Sequence, residues 1–258
     1  MKIFNNKKLN KHKLSFSIIT PMLNDFRIKK TIDSLTNQTY KNFENIIIDG
    51  GSNRKIINVL KKKSNKVNII ISEKDKGIYD ALNKGIKVSN GDIIGILNAD
   101  DYFYKNTLFI AKKYFEDYNL DYLFGNVMKD RLHHGYWPKK IWWKFNIFPS
   151  HSCGFFVRRE VHRKLGLYNI KFKYSSDRDF IFKIIKQNLK GMCTNKKHIF
   201  GKFNPHGISS KVSYFRNLKE EFLIRANNKQ SYFYLIPLFL LTILYKFYVL
   251  MINKFLSK

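Results

Sequence analysis

Acidic side chains are scarce in this chain: 19 Asp and Glu stand against 48 Lys and Arg in 258 residues, a formal net charge of +29. A balance this basic suits a polyanionic partner and leaves three classes open: nucleic acid, an anionic membrane surface, or phosphate-bearing substrates. Because the lysines are spread over the whole chain, alongside abundant Asn and Ile, compositional drift is the competing explanation. Local concentrations stand at Lys7, Lys8, Lys11 and Lys13, and at Lys61, Lys62 and Lys63. Cysteine is nearly absent. Cys153 and Cys193 stand alone without C-x-x-C spacing, which excludes a disulfide framework and fits a reducing compartment. The basic N-terminus has no apolar run before Leu14, so no secretory signal is expected. No period of 20–50 residues recurs, and zinc-finger, RRM and basic-zipper patterns are missing. The last absence weighs against a nucleic-acid partner.

What is present is an alternation of two periodicities. Phe16 to Ile19, Asn45 to Ile48, Val67 to Ile71 and Ile93 to Leu97 read as strands. Between them, Ile28, Ile32 and Leu35, then Ile56, Ile57 and Leu60, then Ile78, Ala81, Leu82 and Ile86 mark helices, and Leu108, Ala111 and Phe115 mark a fourth. Asn24 or Asp25 is placed to cap the first of these. Strand–helix alternation with near-continuous apolar strands predicts an α/β fold, a mostly parallel sheet covered by helices on both faces. In such sheets ligands sit beyond the carboxyl ends of the strands. Those ends read Thr20-Pro21, Asp49-Gly50-Gly51-Ser52, Glu73-Lys74-Asp75 and Asn98-Ala99-Asp100-Asp101. Each cluster alone is an ordinary turn or cap; four on one rim are not.

The run Ile93 to Asp101 ends in two adjacent carboxylates, which repel unless something positive lies between or beside them. No G-x-G-x-x-G follows the first strand and no Walker A loop occurs, so no glycine-rich turn grips phosphates here. A hard cation, Mg²⁺ or Mn²⁺, bridging a diphosphate to these acids is the remaining arrangement.

The motifs Phe16 to Pro21, Ile46 to Ser52, Asp75 to Gly85, Asn98 to Asp101 and Ser176 to Asp179, in this order, resemble the inverting family 2 glycosyltransferases of the GT-A fold, over about residues 15–209. The resemblance implies a transferase of bacterial surface-polysaccharide type. It would move one sugar from a nucleotide-sugar donor, a UDP-sugar first, to a glycan or lipid-linked acceptor. It divides the chain into a basic tail (1–14), a catalytic domain (15–215, its nucleotide-sugar half 15–125 and acceptor half 126–215) and a helical membrane-associating segment (216–258). Thr20, Pro21, Asp49, Gly51 and Ser52 would line the nucleoside, with Asp49 reaching the base. Asp80 and Lys84 would lie near ribose and phosphates, and the Asn98–Asp101 turn would correspond to the D-x-D metal motif. The first acid of that motif is here Asn98, so the cation would lean on Asp100 with Asp101, and His206 is a further candidate ligand or phosphate contact. Asp177 aligns with the family's catalytic base. Its local sequence alone reads as a helix cap, and Asp179 keeps that reading. His151 falls on an acceptor-side loop, Trp137, Trp142 and Trp143 are either sugar-stacking or buried, and the Gln-x-x-Arg-Trp signature of processive relatives is missing. A catalytically inactive scaffold, motivated by Asn98, and a nucleic-acid-binding protein are the alternatives.

Tyr232 to Ile252 is almost wholly apolar and close to the ~20 residues that span a bilayer. Lys246 and Pro237 interrupt it, and Thr242, Lys246 and Asn253 fall on one stripe of a helical projection. The expectation is a helix lying on the cytoplasmic leaflet of the cell membrane, assisted by Lys229, Lys254 and Lys258 at an anionic surface.

Overall fold

The computed structural model describes residues 1–5, 8–138, 141, 145, 152–204 and 212–256, the side chains of 253–256 excepted. Lys2–Phe4 forms an edge strand, β1, within the stretch read as a tail, and pairs antiparallel with β4. The four predicted apolar runs are β2 (Phe16–Met22), β3 (Phe43–Asp49), β4 (Ile69–Ser72) and β5 (Ile93–Ile96), paired in parallel in the order β4-β3-β2-β5.

Their continuous apolarity has a direct cause: both faces are covered. Because side chains alternate along a strand, Ile46 and Ile48 of β3 face one layer and Ile47 the other. The first layer holds α3 (Ile78–Val88), α5 (Arg159–Leu165) and α6 (Ser176–Lys186), through Tyr79, Leu82, Val161, Phe180 and Ile184. The second holds α1 (Ile28–Thr36) and α2 (Arg54–Lys62) through Ile28, Ile32, Ile56 and Leu60, and α4 (Thr107–Tyr118) through Leu108, Ala111 and Phe115.

Beyond β5 the sheet turns mixed, a departure from uniform parallel pairing. β10 (Phe155–Arg158) runs antiparallel between β5 and β7 (Tyr122–Phe124), and β11 (Gly191–Cys193) pairs parallel on the outer side of β7. A second sheet joins β6 (Tyr102–Phe103), β12 (Ile199–Lys202), β8 (Asn126–Met128) and β9 (Leu132–His133). His133 is thereby a strand residue paired with Val127.

At the amino ends of the parallel strands, Gly91 brings β5 against β2. Its N–H donates to Ser17 Oγ at 2.8 Å, and that hydroxyl donates to the buried Glu44 Oε1 at 2.5 Å. A Cβ at position 91 would lie 2.5 Å from the Phe16 carbonyl carbon and 2.6 Å from Ser17 N, backbone atoms that cannot swing aside. Gly91→Ala is therefore expected to cost about 1–3 kcal/mol by overpacking, about 2–12 °C in Tm for a chain of this size. An unchanged melting curve would mean that β5 can shift along β2 without penalty.

Two helices close the chain. α7 (Tyr214–Asn227) packs on α6, where Asn228 Nδ2 donates to Asp179 Oδ1 at 2.7 Å and Arg178 pairs with Glu221 at 3.2 Å. α8 (Tyr232–Leu256) folds back along α7, with Leu235 fully buried against Leu218 and with Leu238, Phe239 and Ile243 beside it. Position 216, where the membrane-associating segment was read as starting, lies inside α7.

Candidate active site

The carboxyl ends of β2 to β5 lie side by side, as parallel pairing requires, and the loops that leave them are cross-tied. After β2, Asn24 adopts a left-handed backbone (φ 51°); its N–H donates to Ser52 Oγ at 2.6 Å and its Oδ1 accepts from Asn53 N at 2.8 Å. After β3, Asp49 is fully buried; its Oδ2 accepts from Ser72 Oγ at 2.7 Å and from Ser52 N at 3.1 Å, and the Ser52 hydroxyl donates to Oδ1. The Thr20 hydroxyl is buried with no hydrogen-bond partner in the structure, one strand away from this cluster, and Pro21 is buried beside it. Gly51 has φ 95°, the conformation that turns the chain from β3 towards α2.

After β4, Asp75 Oδ1 accepts from Gly77 N at 2.9 Å, and Gly77 (φ 119°) opens α3. Asp80 Oδ2 accepts from Lys76 N at 3.0 Å. Lys84, one turn further, reaches Glu73 Oε1 at 3.0 Å and Asp80 Oδ2 at 3.5 Å, so the two predicted phosphate-side residues form one ion-pair group.

After β5 the two adjacent acids part company. Asp100 stays partly exposed, and the positive group beside it is Arg27, at 3.6 Å from its Oδ2 and 2.6 Å from Asp25 Oδ2. Sequence reading missed Arg27, since it belongs to no motif; neither Asn24 nor Asp25 caps α1 as expected, and Asp25 accepts from the Arg27 N–H at 2.9 Å. Asp101 is 1% exposed, its Oδ2 accepting from Asn98 Nδ2 at 3.1 Å and its Oδ1 from Asn204 N at 3.0 Å. Burial, then the neighbouring Asp100 charge, pushes its carboxyl up to about 7. Asp100 is also raised, by burial, with Arg27 opposing the shift. A cleft of about 390 Å³ opens against Asp100, lined by Arg27, Lys29, Lys30 and Lys202 among others. Its four cations favour an anion.

A divalent cation is implied by the sequence motif, and the residues fit it in part. Among the described residues no group of three or more His, Cys, Asp and Glu is gathered as a cage. Asn98 Oδ1, however, is buried without a hydrogen-bond partner, and Asp100 supplies an accessible carboxylate. One or two such oxygens completed by water and donor phosphates are what Mg²⁺ takes. Asp101 is engaged in tying the β5 turn to Asn204. His206, like His151, Trp142 and Trp143, lies outside the described residues, and Trp137 is exposed.

The remaining carboxylate comes from the second half of the chain. Asp177 occupies the first turn of α6 and reaches across to α3: the Tyr79 hydroxyl donates to its Oδ1 at 2.9 Å, an oxygen that also accepts from Arg178 N at 2.9 Å. Burial raises its pKa; the charge of Arg178 and the Tyr79 hydrogen bond oppose that shift without cancelling it. Asp179 differs. It is buried and taken up by Lys183 at 2.6 Å and Asn228, a structural link to α7. Only one acid of this pair is thus left for chemistry.

Comparison with known proteins bears on the family and the fold. The model of the family described as Glycosyl transferase family 2 matches residues 17–171. A PGL/p-HBAD biosynthesis glycosyltransferase of Mycobacterium bovis is 30% identical over 173 residues, covering 64% of this chain and 67% of the relative. Among solved structures, S. aureus TarS superposes with a TM-score of 0.65 at 19% identity, over 83% of this chain but only 39% of TarS. The mannosyltransferase PcManGT of Pyrobaculum calidifontis, solved with GDP-Man and Mn²⁺, gives 0.66 at 17% identity, over 89% and 69%. These likenesses share the mixed α/β sheet with flanking helices of the GT-A fold. With the family match covering more than half of its length, the chain belongs to glycosyl transferase family 2.

Proposed function

We propose that this glycosyltransferase moves one sugar from a nucleotide diphosphate, UDP first, to a hydroxyl of a glycan or lipid-linked acceptor, with inversion at the anomeric carbon. The observation that carries the reading is Asp177, an enclosed carboxylate fixed at a helix N-terminus with its proton affinity raised. Such a group takes the proton of the acceptor hydroxyl as the new C–O bond forms. The bond to the diphosphate breaks with its electron pair leaving on the phosphate oxygen, and attack opposite the leaving group inverts the centre. Asp100 and the Asn98 carbonyl oxygen would hold a Mg²⁺ or Mn²⁺, which when bound neutralises the departing diphosphate. Arg27 and the lysines of the adjoining cleft add positive charge on the same side. TarS with UDP-GlcNAc and PcManGT with GDP-Man and Mn²⁺ are related folds carrying ligands of this class, which supports the donor chemistry.

The acceptor reading rests on α8. It is long and apolar enough to cross a membrane, and almost none of its most apolar stretch is buried inside the protein. Lys246, its one charged residue before Asn253, sits 4.9 Å over the Tyr214 ring on the α7 side. The outer face, from Phe233 through Leu241, Leu244, Tyr245 and Tyr248 to Met251, is left free of charge, as an in-plane membrane helix requires. We infer a peripheral enzyme at the cytoplasmic face of the cell membrane, acting in surface-glycan assembly.

A thermal-shift series with UDP-GlcNAc, UDP-glucose and GDP-mannose, with and without Mn²⁺, tests the donor. A ligand at a hundredfold excess over its Kd stabilises the native state by about 2.7 kcal/mol, a shift of several degrees. One donor is expected to give that shift, with an added Mn²⁺-dependent part that Asp100→Ala removes. Absence of any shift across the series would overturn the nucleotide-sugar reading. Full turnover in excess EDTA would overturn the cation.

A further inference from the structure

Tyr79 lies within the Asp75 to Gly85 motif without a role assigned to it there, yet among the described residues its hydroxyl makes the one side-chain hydrogen bond to the Asp177 carboxylate, from 98 positions away. Three observations fix that bond. Tyr79 is buried in the first turn of α3, its backbone direction set by Gly77 and its ring held against Tyr168 at 5.6 Å between centroids. Tyr168 is in turn locked to α3, since its N–H donates to Asn83 Oδ1 at 2.9 Å and its carbonyl accepts from Asn83 Nδ2 at 2.8 Å. The Tyr168 ring also packs against Phe180 of α6 at 5.3 Å, so that α3 and α6 meet through one aromatic cluster directly behind the carboxylate.

We propose that Tyr79 is a positioning residue for Asp177: its hydroxyl orients the carboxylate and holds it ionised, ready to accept a proton. The inference rests on the reading of Asp177 as the base. A phenol donating to Oδ1 stabilises the charged form, which burial otherwise disfavours. With Oδ1 taken up by Tyr79 and the Arg178 N–H, Oδ2 is the oxygen left to receive the acceptor's proton. Among the described residues, the charged or titratable groups that face Asp177 are Arg178 on its own helix, itself paired with Glu221 of α7, and the neutral phenols Tyr79 and Tyr168 from the elements packed against it.

The test is a carboxyl-carbon NMR titration of the full-length protein labelled at Asp, with the Asp177 signal assigned by its loss in Asp177→Asn. In Tyr79→Phe, which removes one oxygen and keeps the ring, the Asp177 midpoint is expected to rise by about one pH unit. Tyr168→Phe, from the same cluster, should leave it in place. 3-Fluorotyrosine at position 79, a stronger donor of nearly equal size, should move it downward, and it serves equally if the phenylalanine variant folds poorly. On an assay for UDP release from UDP-GlcNAc or whichever donor binds, Tyr79→Phe should lose about tenfold in kcat below the acid limb, recover at high pH, and keep its donor KM. A midpoint that stays put in both Tyr79 variants overturns the inference. So does a loss of activity uniform across pH. If Asp177→Asn itself turns over normally, the base reading has failed instead, and the two failures are separable.

Discussion

Asp177→Asn should lose roughly two to four orders of magnitude in kcat, while donor affinity by thermal shift stays within about twofold of the parent. The asparagine keeps the shape of the side chain and can still accept from the Tyr79 hydroxyl and the Arg178 N–H, so the first turn of α6 has no reason to rearrange. What disappears is basicity. Because burial holds the Asp177 pKa above the ordinary carboxylate range of about 4, the parent enzyme should lose activity as pH falls through a value higher than that, as the base takes up a proton. The acid limb should vanish from the residual activity of the variant. Asp179→Asn is the comparison: Asn228 at the end of α7 ties it across to that helix and Lys183 pairs with it within α6, so its effect should appear in Tm more than in kcat. Equal losses of donor binding and turnover in Asp177→Asn would show that the residue shapes the pocket and does not take the proton.

The contrast between Asp177 and Asp179 shows where sequence reading reaches its limit. Both acids lie in the first turn of a helix and both satisfy a capping pattern, so local chemistry cannot separate them. They are separated by what arrives from elsewhere: Tyr79 from α3 at one, Asn228 from the end of α7 at the other. By contrast β2 to β5 and their helices were legible, because burial on both faces writes itself into the chain as apolar runs and helical stripes. The acids at the strand ends were legible for the same reason, being polar interruptions at positions the periodicity had already fixed. β10 was not, since nothing in Phe155 to Arg158 says that it enters antiparallel between β5 and β7. The two- to four-residue strands of the second sheet are too short to carry a period. Arg27 escaped because the meeting of Asp25 and Asp100 that it neutralises exists only once β2 and β5 are neighbours.

Loss of the proposed membrane attachment is the second large effect expected, and the helix pair decides how it should be tested. Residues 235–247 of α8 run along α7, with Leu235 to Ile243 against Leu218 and Phe222 and with Phe247 near Phe215 at 6.0 Å. The exposed side of α7 carries Arg216, Lys219 and Glu220. A spanning α8 would drag those charges into hydrocarbon, at ~2.5–3.5 kcal/mol each on insertion scales. An in-plane helix leaves them at the water side and immerses only the opposite face. Deleting α8 would strip the apolar face of α7, so substitutions on the outer face of the full-length chain are the cleaner experiment. Leu241, Leu244 and Tyr248 are each more than 60% exposed, and changing them to Glu disturbs no packing in the protein. The unmodified protein is expected to float with vesicles containing anionic lipid and to remain bound, more weakly, to neutral ones. The triple Glu variant should stay at the bottom of the gradient with an unchanged melting temperature. Flotation of the triple variant in high salt would refute contact through this face. A full-length protein that stays soluble without detergent, as a dimer that the triple variant dissolves, would make α8 an interface between two copies instead.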